Sequence, residues 1–471
     1  MKATDRHYTA SARSRAQRRR VIGFTAATMA LCVALGVLAA VVLAAKGDTS
    51  LISRRSASAG GQGANGDSLS PSVSGTGGAV AFSTEATNLG GPAQNVSNIY
   101  VYTRGIRKVS LVSRRSAAAG GQGVNSGAFN PAITPSGRFV AFSTEATNLG
   151  GPAHAGSCIY VYDRKSRRVE LVSRRSAAAG GAAANGDSFS PSISADGRFV
   201  AFDTDATNLG GPTNAGSNVY VYDREKDRVE LVSRRSASAG GQGANSDSFG
   251  GEISADGRFV GFDTGASNLA GAAQNVTNVY VYDREQDRVE LVSRRSASAG
   301  GQGADAAADA PTISGTGRFV AFRTAADNLG GPIQDVLNVY VYDRANDTIA
   351  LVSRRSASAG GQGGNGSSGA GGVISLSANG RFVAFDTNAS NLGGPVNPGT
   401  NVYVYDRKDK RIVLASRRSI SAGGEGGNGQ GRDPSLSADG RFVAFWTDSD
   451  NLGGPINANR NIYLHQHLLG P

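Results

Sequence analysis

The chain has 471 residues and a formal net charge of +11, with 66 Gly, 14 Pro, two Cys and four His. Gly at about twice its usual share without a collagen period, 18% charged residues and 7% aromatics exclude collagen, a coiled coil and a polar disordered chain. Two Cys exclude a disulfide scaffold and a multi-Cys zinc site, and the scattered His7, His154, His465 and His467 leave little for histidine chemistry, so neither metal nor cofactor is expected.

Residues 1–20 hold seven basic side chains against Asp5, so +6 of the net charge lies in this tail and +5 in the rest. The basicity therefore gives no reason to expect a nucleic-acid partner for the body. Residues 21–45 are 25 positions without a charge, enough for a helix of about 37 Å, which covers the hydrocarbon core of a bilayer with some tilt. Arg18, Arg19 and Arg20 before it predict a cytoplasmic N-terminus, a single-pass anchor and an extracytoplasmic body at 46–471. Cleavage near residue 45, after Leu43-Ala44-Ala45, and secretion of the remainder form the alternative.

The body is one unit written seven times. Ser-Arg-Arg-Ser starts at Ser53, Ser113, Ser173, Ser233, Ser293, Ser353 and Ser416, spaced by 60 residues with one step of 63. The Phe closing Val-Ala-Phe or Val-Gly-Phe recurs from Phe82 to Phe445 with the same steps. The three extra residues fall between Arg354 and Phe385, in a Gly/Ser tract read as loop. In the third copy, 190–194 and 198–202 read as strands around the tight turn Ala195-Asp196-Gly197. Phe199 and Ala201 on one face, Val200 and Phe202 on the other, predict burial on both sides. A long loop with Asn208, Gly210, Gly211 and Pro212 leads to strands at 218–222 and 228–233, joined by the charged turn 223–227.

Four antiparallel strands per unit and seven units predict an all-β, seven-bladed β-propeller with four-stranded blades. The last copy stops after its third strand, 461–464, and an orphan fourth strand, 51–54, precedes the first copy. Pairing of these two predicts closure by strand exchange between the ends, which leaves no open sheet edge.

The recurring SPSISADGRFVAF, TNLGGP and NVYVYDR resemble the TolB-like propeller repeats of bacterial envelope proteins, themselves similar to WD-type blades. The resemblance spans 51–464 and implies the propeller fold, an envelope setting and a partner-binding role; similar propellers occur in peptidases and carbohydrate-acting enzymes. Where related long loops often carry Asp, this chain has Gly-Gly-Pro-Thr-Asn-Ala-Gly-Ser-Asn, amides that imply no metal loop.

Turns alternate along a meander, so the long loops share one face and the short turns the other. The candidate binding residues are the Arg pairs that follow each fourth strand toward the long-loop face. They are Arg54 and Arg55, Arg114 and Arg115, Arg174 and Arg175, Arg234 and Arg235, Arg294 and Arg295, Arg354 and Arg355, and Arg417 and Arg418. Without these fourteen charges the body falls from +5 to −9. They predict either an anion-binding rim or a structural role repeated between blades. The Asn series from Asn88 to Asn451 reads as loop former. Asp203 with Asp205 is the one paired carboxylate noted. No Gly-x-Ser-x-Gly elbow with following Asp and His is found, so no catalytic residue is expected. The expectation is a monomeric, membrane-anchored extracytoplasmic module that binds an envelope protein or an anionic polymer on its long-loop face. The alternatives are a carbohydrate-acting propeller enzyme, lyase or hydrolase, and a structural repeat surface protein.

Overall fold

The computed structural model describes residues 47–469 apart from 92–94, 155, 212–215, 270, 272–275, 332–335, 395–398, 455–458 and 468. The basic tail and the apolar stretch 21–45 lie outside the described residues, among which no helix is long and apolar enough to cross a membrane.

Seven four-stranded antiparallel sheets form the propeller. We number the blades in chain order: 68–111, 128–171, 188–231, 248–291, 308–351, 374–414, and 431–466 with Thr49–Leu51. In blade 3 the strands are Ser188–Ile193, Phe199–Thr204, Asn218–Asp223 and Arg228–Leu231, from channel to rim. The second strand is buried on both faces, as its double apolar pattern predicts. The hydrophobic core is accordingly split into seven clusters, most of them spanning neighbouring blades. Phe139, Ala141, Ile159 and Val161 of blade 2 pack against Val200, Phe202, Tyr220 and Tyr222 of blade 3.

Blade 7 takes its outer strand from the start of the body: Thr49 pairs with His465, Ser50 with Leu464 and Leu51 with Tyr463. The strand begins two residues before the expected 51–54, and its partner runs to Gln466. Gly47 sits at the short-turn end of this blade, its N–H donating to the Gln466 carbonyl (2.7 Å).

Six inner strands carry a bulge with a residue at positive φ: Ser70, Asn130, Ser190, Gly250, Ala310 and Asp433. Pro follows in five of them, as at Ser190-Pro191. An inner strand is a sheet edge facing the channel, and Pro there withholds a donor that would invite pairing. The three-residue insertion falls at this bulge in blade 6. Ser368 still bridges to Thr387, the regular inner strand shrinks to Ile374–Leu376, and the added residues bring Gly372 to the channel wall. The Gly/Ser tract is thus an enlarged bulge inside a strand, not a connector loop.

Candidate functional site

The connector between blades sets where the Arg pairs end up. After the outer strand, the first Ser of Ser-Arg-Arg-Ser is fully buried; the Ser233 hydroxyl accepts the Val219 N–H of its own blade (3.0 Å). The chain then runs down the outer edge of the next blade. Ser56, the second Ser, accepts the Val109 N–H (3.0 Å), and Ala57 donates to the Arg107 carbonyl in the turn before the outer strand (3.0 Å). The same pair of bonds recurs at Ser116 with Val169 and Ser236 with Val289. The connector thus covers the exposed edge of the next outer strand, a site that would otherwise template aggregation.

In three connectors the first Arg follows that path to the short-turn end, away from the long-loop rim where the sequence places it. Arg174, Arg234 and Arg294 each pair with the next blade's turn carboxylate: Asp227 at 2.9 Å, Asp287 at 2.8 Å and Asp347 at 2.9 Å. Each guanidinium also lies over a Tyr ring, Tyr222, Tyr282 or Tyr342, at 5.1–5.2 Å. In blades 1, 2 and 6 that turn residue is Arg107, Arg167 or Lys410, and the clamp does not form. Arg54 and Arg417 turn back to their own connector, donating to the carbonyls of Gly61 (2.8 Å) and Gly424 (2.6 Å); Arg114 and Arg354 lie against the corresponding Gly121 and Gly361. The second Arg is half-buried along the same connector. Arg55, Arg115 and Arg235 reach Gln62, Gln122 and Gln242, and Arg418 pairs with Glu425; Arg175, Arg295 and Arg355 take equivalent backbone positions. The fourteen Arg are therefore spread along seven inter-blade seams.

The loop Asn series also works between segments. Asn208 donates to the Ala183 carbonyl (2.8 Å) and accepts the Asn185 N–H (3.1 Å), while Asn185 accepts the Thr207 N–H (2.8 Å). Asn208 shapes its loop by bonding the connector rather than its own backbone. Cys158 is free and buried, and burial pushes its thiol pKa up.

The seven inner strands enclose a channel with a cavity of about 510 Å³. At the short-turn mouth a belt of backbone hydrogen bonds passes from blade to blade: Gly75 to Pro135, Ala195 to Ala255, Ala255 to Gly315, Gly315 to Ala378, Ala378 to Ala438 and Asp439 to Gly75, at 2.9–3.0 Å. Higher up, Ser72, Ser192, Ser375 and Ser435 each accept an N–H from the following blade. Glu252 is the one charged residue at this level, and it accepts from the Ser192 hydroxyl (3.0 Å). Burial pushes its carboxyl up to about 7.

Further carboxylates stand behind the wall. Asp203 accepts the N–H groups of Gly250 (3.1 Å) and Gly251 (3.0 Å) in the bulge of blade 4, and burial still raises its pKa to about 7. Asp263 is likewise raised to about 7, by burial and then by the charges of Asp309 and Asp203; Asp386 reaches about 6, chiefly by burial. Asp205 is exposed, so the structure does not bring the expected Asp203–Asp205 pair together. Sequence reasoning missed Glu252 and Asp263; the available signal was a carboxylate standing next to an apolar strand residue, Ile253 or Phe262. Among the described residues no group of three or more His, Cys, Asp or Glu is arranged to hold a metal ion.

The long-loop mouth differs in character. Inner strands run from the long-loop end to the short-turn end, so their second residues stand near this mouth. In blades 1–4 these are Leu69, Phe129, Phe189 and Phe249, with Phe129 48% and Phe249 41% exposed. In blade 5 the position holds Asp309, paired with Arg323 (2.5 Å), and in blade 7 Arg432.

Several solved propellers are similar in structure. An oligogalacturonate lyase in complex with manganese aligns with a TM-score of 0.52 at 10% identity, over 90% of this chain and 98% of that one. TolB from Acinetobacter baumannii aligns at 0.42 and 16% identity, over 77% and 67%. The β-propeller domain of the Trilobed protease from Pyrococcus furiosus aligns at 0.47 and 12% identity, over 85% and 95%. At these identities the likeness establishes the propeller fold alone. No curated protein matches the sequence. The family model described as "Family of unknown function (DUF7453)" matches residues 22–417, and the chain belongs to that family.

Proposed function

We propose that this chain is a propeller-type binding module tethered to the outer side of a cell membrane, and that it takes a protein partner at the long-loop mouth of its channel. The observation that carries the reading is the exposure of Phe129 and Phe249 at that mouth, on a body that buries nearly all its other large apolar side chains. Exposed aromatics beside a charged border, here Asp309 with Arg323 and Arg432, are the composition of a binding hot spot with a polar rim. The Arg pairs favour a polyanion less, because each of the seven first Arg already has an anion, a carbonyl or a closely packed glycine of its own seam. The tether rests on the uncharged stretch 21–45 and its basic flank.

A photo-crosslinking residue at 129 or 249 tests the site in intact cells. A discrete protein adduct from both positions, absent from position 420 on the outer rim, is the expected result. An anionic polymer retained by the Phe129→Ala/Phe249→Ala variant and lost on changing the Arg pairs would instead return the site to the seams. Protease added to spheroplasts should digest the 46–471 body and spare the N-terminal tail; a mature chain starting near residue 46 in the medium would overturn the tether.

A further inference from the structure

The short turns between third and outer strands differ in charge around the ring. In blade 1 the turn reads Thr103-Arg104-Gly105-Ile106-Arg107-Lys108, three cations and no acid. Blade 2 carries Arg164, Lys165, Arg167 and Arg168 against Asp163, which Arg138 already holds at 2.8 Å. In blade 6, Asp406 and Asp409 are both bound by Arg381, leaving Lys408, Lys410 and Arg411 exposed. Blades 3, 4 and 5 have as many acids as cations in this turn, or more. The same blades use Asp227, Asp287 and Asp347 to clamp the connector Arg. The excess positive charge thus falls in one sector, on blades 6 and 1, which flank blade 7, and on blade 2 beyond. Within that sector Ile106 is 69% exposed, the most exposed large apolar side chain among the described residues.

Blade 7 is also where the chain enters the propeller. Gly47 is bonded to Gln466 at the short-turn end, and Lys46 alone separates it in sequence from the apolar stretch ending at residue 45. One residue spans less than about 4 Å. The described chain therefore starts at the short-turn end of blade 7, one residue after the apolar stretch in sequence, between the cationic turns of blades 6 and 1.

We infer that the short-turn rim of blades 6, 7, 1 and 2 is a docking surface for an anionic lipid leaflet, with Ile106 inserted among the headgroups and the flanking Lys and Arg neutralising them. The inference rests on the tethered reading above. Cations near an anionic leaflet add roughly fivefold each to membrane affinity and lose it to salt within a Debye length. Docking would turn the long-loop mouth, with Phe129 and Phe249, away from the membrane and toward a partner.

The test uses the full chain in nanodiscs, with Cys32→Ser to remove the second native cysteine and Ile106→Cys carrying an environment-sensitive dye. Ala153→Cys, exposed on a long loop at the opposite end, is the control site. In nanodiscs containing phosphatidylglycerol, headgroup-attached nitroxide should quench the dye at 106 and not at 153. Quenching should vanish in pure phosphatidylcholine and in high salt, which needs no further variant. Arg107→Gln/Lys108→Gln/Arg167→Gln/Arg168→Gln should cut the docked fraction by roughly tenfold or more. A chain that enters the nanodiscs but shows no quenching at 106, or equal quenching at 106 and 153, overturns the docking surface and leaves the tether standing. A chain that does not enter the nanodiscs overturns both.

Discussion

Arg224 of blade 3 lies over the ring of Phe139 in blade 2, its guanidinium carbon 4.8 Å from the ring centroid, while Nη1 donates to the Gly197 carbonyl at 2.5 Å. Arg138 covers the same ring from its own blade at 4.5 Å. Phe139 is thus enclosed by two guanidiniums and a turn glycine, and the motif repeats at Phe199, Phe259 and Phe319. The Asp-Arg that follows each Val-Tyr-Val-Tyr strand is therefore an inter-blade fastener.

The glycine of that turn tests the fastener. Gly257 has φ +75°, and a Cβ there would overlap the Phe199 ring. Gly257→Ala is expected to cost about 2 kcal/mol or more, combining left-handed strain with the displaced ring. Urea unfolding with the midpoint and slope fitted separately checks this; a cost below about 0.5 kcal/mol would show that the seam has slack.

The clamp chemistry predicts unequal effects of one substitution at equivalent sites. Arg234→Gln breaks a pair with Asp287 and leaves the Tyr282 ring uncovered, and should lower stability by about 1 kcal/mol, since the carboxylate is partly exposed. Arg354→Gln, whose seam presents Lys410, should change stability by only about 0.5 kcal/mol or less. Equal melting shifts for the two variants would rule out the clamp as the source.

Ring closure depends on a three-residue strand. Leu51 is 4% exposed and packs in one core with Phe445 and Tyr463. Leu51→Ala should cost about 2–4 kcal/mol and promote aggregation by loosening the edge it covers. Thermal melts followed by light scattering read both effects, and an unchanged melt would mean that blade 7 holds without its exchanged strand.

The buried carboxyls set a pH dependence with a definite sign. Asp203 and Asp263 are raised to about 7 in the folded protein, against about 4 unfolded. Between those values the native state holds protons that the unfolded chain has released, so stability falls as pH rises from about 4 to about 7 and then levels. Asp163, held well below the ordinary range by Arg138, acts only at lower pH. Asp203→Asn/Asp263→Asn should flatten the decline, measured as urea midpoints across pH 4–8. A slope as steep as in the wild type would place the effect elsewhere.

The blade plan was legible because its signals are periodic: the 60-residue step, the strand apolar on both faces around Phe202, and the strand missing after residue 464. The direction of the connector was not. Ser-Arg-Arg-Ser reads the same whether its Arg face solvent or lie in a seam, and the partners that decide, Val109 for Ser56 and Asp227 for Arg174, are more than 50 residues away in sequence. The three-residue insertion misled for a related reason, since Gly and Ser suit a bulge inside a strand as well as a loop. Nothing in the sequence marks Glu252 and Asp203 as buried acids, because the groups they bond, Ser192 and Gly251, lie in a neighbouring blade.

The belt of backbone bonds at the channel's short-turn mouth lacks one link. Pro135 accepts from Gly75 but has no N–H to pass on to Ala195, so the seam between blades 2 and 3 alone goes without a rung. Blades 2 and 3 are therefore joined at the channel without that bond, and their seam relies on side-chain fasteners further out, Arg224 on Glu170 and over Phe139 and Arg174 on Asp227, together with the connector 172–187.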